Sequence, residues 1–314
     1  MQNDHPPIVC LMGPTASGKT PLAIEMIQHF PCEIISVDSA MIYRTMDIGT
    51  AKPTPEVLKK APHRLIDILD PSENYSAGQF LRDVTFHIQA IQSSGKIPLL
   101  VGGTMLYFRV LQQGIAQLPH ADGATRDSLQ AMIAAHGIEK LHQELAQHDP
   151  ESASRIARHD TQRIQRALEV FYLTGQPLSL LHKLNPPTLP PYQFYNLIIN
   201  PENRSTLHER IEQRLKNMVD NGFLNEVKML FARQDLSATM PSIRSVGYRQ
   251  AWSYLANEIT YDAMVDQILA ATRQLAKRQL TWLRKWPDAR WFTHDDEVLN
   301  AMERIKFKLR NTPS

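Results

Sequence analysis

Residues 13–20 read Gly13-Pro14-Thr15-Ala16-Ser17-Gly18-Lys19-Thr20. Two glycines, a lysine and a hydroxyl at the spacing G-x-x-x-x-G-K-[ST] suit a loop that wraps a phosphate group. Gly13 and Gly18 let the backbone curl so that successive N–H groups point at an anion. The N-terminus of a following helix adds its dipole. Lys19 neutralises phosphate charge, and the Thr20 hydroxyl is a candidate ligand for Mg2+. Pro21 is harmless there, because a first-turn N–H has no intrahelical partner to lose. The loop does not say which phosphate ester it holds.

The flanks supply the context such a loop needs. Ile8 to Met12 is an apolar segment of strand length, and Leu22, Ala23, Met26, Ile27 and Phe30 recur at helical spacing. A second strand, Glu33 to Val37, ends in Asp38. In parallel sheets the carboxyl ends of neighbouring strands face one crevice, which places Asp38 near Lys19 and Thr20. Asp38 is then a candidate general base or Mg2+ partner, while a strand-end aspartate also serves to cap a turn. A third strand is expected over His63 to Leu69. A helix capped by Ser76 follows, and a fourth strand, Ile97 to Val101, delivers Gly102-Gly103-Thr104 to the same face, followed by a helix over Met105 to Leu111. Strands alternating with helices predict an α/β doubly wound parallel sheet.

Near Leu118-Pro119 the pattern changes. Thr125 to Leu184 shows only helical spacing, and the proline-rich stretch 185–191 closes it before Phe194 to Asn200 reads as a strand again. The expected organisation is a core over 1–118, a helical insertion domain over 119–192, and the rest of the core with C-terminal helices over 193–314. In that last part Ser205 is expected to cap a helix to Val219, and Thr260 a long helix to about Trp286.

Composition sets outer limits. Hydrophobic residues make up 43% and charged residues 21%, ordinary for a globular chain. No apolar run approaches the roughly 20 residues that span a bilayer, and no signal pattern precedes Ile8. Two cysteines, Cys10 and Cys32, give neither a disulfide framework nor zinc spacing. A cytoplasmic protein is expected. Basic residues number 34 and acidic ones 32, so any polyanion site must lie in local clusters. One cluster is Arg155, Arg158, His159, Arg163 and Arg166; the other is Arg244, Arg249, Arg273, Lys277, Arg278 and Arg284. Such stripes suit the phosphates of a large polyanion, and equally a solvated helix face. Interleaved aromatics (Tyr248, Trp252, Tyr254, Trp282, Trp286) can stack on bases or fill the core.

Taken together these segments resemble the tRNA dimethylallyltransferase (tRNA isopentenyltransferase) family of bacterial type. The resemblance rests on 13–20, on Asp38-Ser39-Ala40-Met41-Ile42-Tyr43-Arg44, and on Met46-Asp47-Ile48-Gly49-Thr50-Ala51-Lys52-Pro53. It extends through Val101 to Tyr107, Asp160 to Glu169, Ile243 to Gln250 and Lys277 to Arg284, in family order over nearly the whole chain. Ala40 and Pro21 are small departures. The resemblance implies a P-loop NTPase-like core, dimethylallyl diphosphate in the loop, Mg2+ as cofactor, and tRNA as acceptor through the adenosine 3′ of the anticodon. It implies Asp38 as base, Thr104 at the target base and Arg126 near the tRNA or the diphosphate. The expected tRNA contacts are Asp38, Ser39, Ala40 and Met41; Gln162, Arg163, Ile164, Gln165 and Arg166; Ile243, Arg244, Ser245, Val246, Gly247 and Tyr248; and Lys277, Arg278, Gln279, Leu280, Thr281, Trp282, Leu283 and Arg284. The insert would grip the anticodon stem-loop. A monomer without an obligate protein partner or membrane contact is expected. Two other readings share the loop: a small-molecule or nucleoside kinase using Asp38 as base, and an RNA-binding P-loop protein with weak NTPase activity.

Overall fold

The structure, a computed structural model, describes residues 5–120 and 122–310. The chain divides into two compact units, Met1–Val110 with Pro191–Ser314, and Leu111–Pro190. The first unit opens with β1 (Pro7–Met12), α1 (Lys19–His29), β2 (Cys32–Val37), α2 (Pro55–Lys60), β3 (His63–Arg64), α3 (Ala77–Ser93), β4 (Ile97–Gly102) and α4 (Met105–Gln113). The insert holds α5 (Gly123–His136), α6 (Ile138–His148), α7 (Pro150–Arg155), α8 (Thr161–Thr174) and α9 (Leu178–Leu184). The chain then adds β5 (Gln193–Ile199), α10 (Arg204–Asp220), α11 (Phe223–Phe231), α12 (Tyr248–Leu255), α13 (Tyr261–Leu283), β6 (Ala289–Phe292) and α14 (Asp295–Arg310).

The six strands form one parallel sheet in the order β3-β2-β4-β1-β5-β6. Both faces are covered, so the central strands are apolar without a break rather than alternating. Val9, Leu11, Ile34, Leu99, Val101, Leu197 and Ile199 share a core with Leu22, Ala23 and Met26 of α1 and Val298, Met302 and Ile305 of α14. The intervening residues, Ile8, Cys10, Met12, Ile35 and Leu100, are fully buried on the other face. Cys10 and Cys32 are buried and form no disulfide. No helix among the described residues is long and apolar enough to cross a membrane.

Register positions the chemistry. Met12 and Val37 both pair with Gly102, so β1, β4 and β2 end level. The phosphate loop, Gly103-Thr104 and Asp38 leave side by side, each separated from the next by one strand spacing of about 4.8 Å.

Several expected boundaries shift for local reasons. The third strand is only His63–Arg64. Leu65 and Asp67 adopt left-handed backbone (φ 62° and 57°), which throws the chain out of the sheet until Leu69 bridges Tyr43. Asn203, not Ser205, caps α10: its Oδ1 accepts from the Thr206 N–H at 2.9 Å and from the Ser205 hydroxyl at 2.7 Å. Ser76 caps α3 in a reciprocal capping box with Gln79, and Thr260 caps α13. Strand β6 and helix α14, given no boundaries above, complete the sheet edge and one face.

The insert has its own core, built from Leu129, Leu141, Leu145, Ile164, Ala167 and Leu168. A buried Asp149 ties it together by accepting from the backbone and hydroxyls of Ser152 and Ser179 at 2.6–2.9 Å.

Candidate active site

The phosphate loop is forced into shape by its surroundings. A Cβ at Gly13 would lie 2.4 Å from the Ile199 carbonyl oxygen, and Gly18 has φ +96°. Ala16 also adopts left-handed backbone, at φ 63°. The Lys19 ammonium folds back, donating to the Pro14 carbonyl at 2.6 Å and lying 3.5 Å from Ser17 Oγ. Helix α1 begins at Lys19 with no acid in its first turn, so its positive end is open to an outside anion. Burial, reinforced by Arg214 and opposed by Asp38, lowers the Lys19 pKa to about 7.

Asp38 divides its carboxylate. Oδ1 accepts from the Ala40 N–H at 2.8 Å and the Met41 N–H at 3.2 Å, which caps the turn after β2. The residue also lines the cavity beside Lys19. Turn-capping and chemistry are therefore not exclusive: one oxygen fixes the carboxylate and the other is left to act. Thr104 stands opposite, its Oγ1 accepting from the Ser39 N–H at 3.1 Å. Gly102 must be glycine, since a Cβ there would lie 2.0 Å from the Val37 carbonyl oxygen.

These groups line an open cavity of about 580 Å3. Lys19, Arg214, Arg244 and Arg278 line it, and among the lining residues Asp38 is the one carboxylate. The wall from α10, α11 and α13 is apolar: Ile211, Leu215, Phe223, Ile268 and Leu275. Arg214 escaped the sequence reading. Its guanidinium donates to the Thr50 carbonyl at 3.1 Å, and burial lowers its pKa against the pull of Asp38. Arg210, nearby on α10, reaches the Ser17 carbonyl at 3.5 Å. The available signal was position: Arg214 flanks the apolar stripe Leu207, Ile211, Leu215.

A second missed residue is Glu226. It is 5% exposed, in the middle of the apolar run of α11. Its carboxylate accepts from the N–H groups of Asp47, Ile48 and Gly49 at 2.7–3.0 Å and from the Tyr248 hydroxyl at 2.6 Å. Burial and this carboxylate push the Tyr248 phenol well above its usual range. Glu226 thereby ties the 46–53 loop to the 243–250 segment. Lys52, its side chain 3% exposed, closes the same loop through the Tyr43 carbonyl at 2.9 Å and the carboxylates of Asp47 and Asp67.

The expected tRNA contacts separate by burial. Ser39, Arg244, Lys277, Arg278, Thr281 and Arg284 are exposed. Trp282 is half-buried, lines the cavity and lies under the Arg109 guanidinium at 5.8 Å. The side chains of Ile243, Tyr248 and Leu283 are buried; Ile243 lies in the turn before α12, and Tyr248 borders the cavity wall. Gln279 is 8% exposed and turned toward the phosphate loop. Of the aromatics, Trp252 is core and Trp286 packs edge-on against Phe108.

In the insert, Gln162 and Arg163 are exposed and Ile164 is core. Arg126 and Arg166 both grip the buried Glu169, at 2.8 and 2.6 Å, and Arg166 also donates to the Pro119 carbonyl at 2.7 Å. Those two arginines brace the insert, Arg126 with a side chain still 52% exposed and Arg166 with one 31% exposed.

No group of three or more His, Cys, Asp or Glu side chains among the described residues forms a metal cage. This donor set fits Mg2+, which is commonly held by one or two protein oxygens, phosphate oxygens and water. The Thr20 hydroxyl, which lines the cavity, is the protein group that would help hold it.

The arrangement has known counterparts. A tRNA dimethylallyltransferase of Coxiella burnetii (strain RSA 493 / Nine Mile phase I) is 57% identical over 297 residues, covering 95% of this chain and 96% of the relative. The crystal structure of a full-length tRNA isopentenylpyrophosphate transferase from Bacillus halodurans is 34% identical with TM-score 0.70, covering 97% of each chain. A structure of a eukaryotic dimethylallyltransferase acting on tRNA shares the fold at TM-score 0.82 and 24% identity, over 98% of this chain and 80% of that one. The family profile described as IPP transferase matches residues 41–286, and the chain belongs to that family.

Proposed function

We infer that this chain is a tRNA dimethylallyltransferase, moving a dimethylallyl group from dimethylallyl diphosphate to N6 of the adenosine 3′-adjacent to the anticodon in tRNA. The observation that carries the reading is one cavity holding an anion cradle, a single carboxylate and an apolar wall. A diphosphate with a short hydrocarbon tail matches the first and last of these; an amine that must lose a proton matches the second.

The exocyclic amine is a poor nucleophile, since its lone pair is delocalised into the purine. Attack needs an allylic carbon with carbocation character, which develops as the carbon–oxygen bond to diphosphate breaks. Loop N–H groups, Lys19 and Arg214 stabilise the charge that gathers on the leaving diphosphate. When Mg2+ is bound, the Thr20 hydroxyl would help hold it, and the ion would supply Lewis-acid stabilisation of that charge. As N6 bonds to the carbon, its proton passes to Asp38, whose other oxygen is fixed by Ala40 and Met41. Thr104 sits where its hydroxyl orients the incoming base. The base must leave its stack to reach such a cavity, so base flipping is part of the reading. The exposed cations, Arg244, Lys277, Arg278 and Arg284 in the first unit and Arg155, Arg158 and Arg163 in the insert, meet tRNA phosphates. The chain acts as a monomer.

The test is incubation with unmodified tRNA and radiolabelled dimethylallyl diphosphate, with γ-labelled ATP in parallel. Label moving from the prenyl donor to tRNA is expected. Label moving only from ATP would establish a kinase instead.

A further inference from the structure

Gln279 lies on α13 within a segment the family resemblance assigns to tRNA, yet it is 8% exposed and borders the cavity beside the phosphate loop. Its Oε1 accepts from the Thr15 N–H in the phosphate loop at 2.8 Å. Its Nε2 donates to the Gly103 carbonyl at 2.9 Å. A backbone N–H only donates and a carbonyl only accepts, so these partners fix which way the amide points. A Cβ at Gly103 would lie 2.3 Å from Nε2 and 3.3 Å from the Gly13 carbonyl oxygen, so a side chain there would push the Gln279 amide off its two partners. Gly103 is followed by Thr104, whose Oγ1 accepts from the Ser39 N–H at 3.1 Å, next to Asp38. One hydrogen-bonded path thus runs from the anion cradle through Gln279 to the turn carrying Thr104 and Asp38.

We propose that Gln279 is a positioning residue that sets the spacing between the diphosphate cradle and the proton-accepting turn, and is not a tRNA contact. The proposal rests on reading the phosphate loop as the diphosphate site. Its consequence for rate follows from geometry. The carbon–oxygen bond that breaks is held by the loop, while the amine that attacks is held at the Asp38–Thr104 turn. A misplacement of about 1 Å between two such parts costs on the order of 100-fold. Glutamine suits the place because it supplies a donor and an acceptor without adding an anion beside the diphosphate.

The experiment uses the full-length protein and Gln279→Met, which keeps the volume and removes both bonds. We measure kcat for prenyl transfer, tRNA affinity by filter binding, affinity for inorganic pyrophosphate by calorimetry, and Tm. The expected result is a kcat loss of roughly 10- to 100-fold, with tRNA and pyrophosphate affinities changed by no more than about threefold. Gly103→Ala drives a methyl into Nε2 and is expected to lower kcat similarly. In a Gln279→Ala background the same glycine substitution is expected to cost less, because only the 3.3 Å approach to the Gly13 carbonyl oxygen remains. Weakened tRNA binding with kcat intact would make Gln279 a tRNA contact. A lowered Tm with kcat per folded molecule intact would make it merely structural. Fully additive losses for Gly103→Ala and Gln279→Ala would remove it as the link. Failure of the wild-type protein to bind pyrophosphate would sink the loop reading itself, and that is visible before any variant is made.

Discussion

Lys19 and Arg214 line a cavity beside the phosphate loop, whereas Arg155, Arg158 and Arg163 stand on the exposed surface of the helical insert. The first pair has lost hydration, and both pKa values fall because of it. A desolvated cation gains much from an incoming diphosphate, since the Coulomb term is barely screened there. The surface set keeps its hydration and is screened by salt within about 10 Å. On the proposed reading each of its members would contribute a weak, additive and salt-sensitive term to tRNA binding. The contrast teaches that cations of one chain divide by burial into those that act on the chemistry and those that act on affinity.

The cavity side should show the largest effects. Asp38→Asn keeps the turn cap, because Oδ1 remains an acceptor, but removes the proton acceptor. We expect kcat to fall by roughly 10²- to 10⁴-fold, with tRNA affinity nearly unchanged in filter binding. A loss confined to tRNA affinity would move Asp38 from base to recognition. Lys19→Ala should cost on the order of 10²- to 10³-fold in kcat with the fold intact, since its ammonium bonds only its own loop. Near-normal turnover of the alanine variant would place the diphosphate elsewhere.

The lowered Lys19 pKa gives a sharper form of the same test. Lys19 in the empty cavity loses its proton as pH rises through about 7. A bound diphosphate raises that pKa, so above pH 7 binding must take up a proton at Lys19. Affinity for dimethylallyl diphosphate should therefore decline from this source as pH rises above 7. Titration calorimetry at pH 8 in two buffers of different ionisation enthalpy counts the protons. Lys19→Met should take up fewer than the wild-type chain, and an equal count would mean that the lysine is charged throughout. For folding the sign is opposite. The unfolded chain holds this proton up to about pH 10.5, so the Lys19 contribution to stability rises with pH between those two values.

Glu226 tests the scaffold beneath the cavity. Glu226→Ala strands three part-buried loop N–H groups and the buried Tyr248 hydroxyl. We expect a loss of about 3 kcal/mol in unfolding free energy, read by denaturant titration. The Arg214 bond to Thr50 should loosen with the loop, raising KM for the prenyl donor. A variant as stable as wild type would mean that the 46–53 loop is held by Lys52 alone.

What was legible in the sequence followed from local physics. The phosphate loop is contiguous, so its spacing carries its chemistry. The central strands are buried on both faces and read as unbroken apolar runs. Ser76 and Thr260 stand immediately before periodic helices and cap them as expected. What failed to show depends on contacts distant in sequence. Arg214 is one of several cations on α10 until packing brings it to Thr50, 164 positions away. Glu226 was a readable exception, an acid on the same helix face as Phe223, Val227 and Leu230, and a buried carboxylate in that position requires donors. Strand β3 was expected to run to Leu69 and stops at Arg64, because left-handed backbone at Leu65 and Asp67 carries no side-chain signal. Strand β6 has four residues at a sheet edge, none fully buried, so it lacks the apolar run that marks its neighbours. Conversely, the sequence placed Arg163 and Arg166 together on one helix face, and only the structure separates them.

That separation gives the smallest and most specific prediction. Arg163 is exposed and, among the described residues, its side chain pairs with Asp160 at 3.5 Å. Arg166 is half-buried and divided between Glu169 and the Pro119 carbonyl. Arg163→Ala should therefore weaken tRNA binding modestly and flatten the log-log salt slope by about 0.7 to 0.9 for one lost phosphate contact, with Tm unchanged. Arg166→Ala should do the reverse. It removes one partner of a carboxylate that is 1% exposed, so it should lower stability by about 1 to 3 kcal/mol and leave the salt slope of the folded protein nearly intact. Arg126 shares the burden at Glu169, which places the Arg166 effect toward the lower end and predicts a larger, coupled loss when both are removed. Filter-binding titrations at several salt concentrations, run beside thermal melts, read both quantities on the same preparations. Equal salt slopes for the two variants would mean that burial does not sort these arginines, and the division drawn between cavity and surface cations would then fail within the insert.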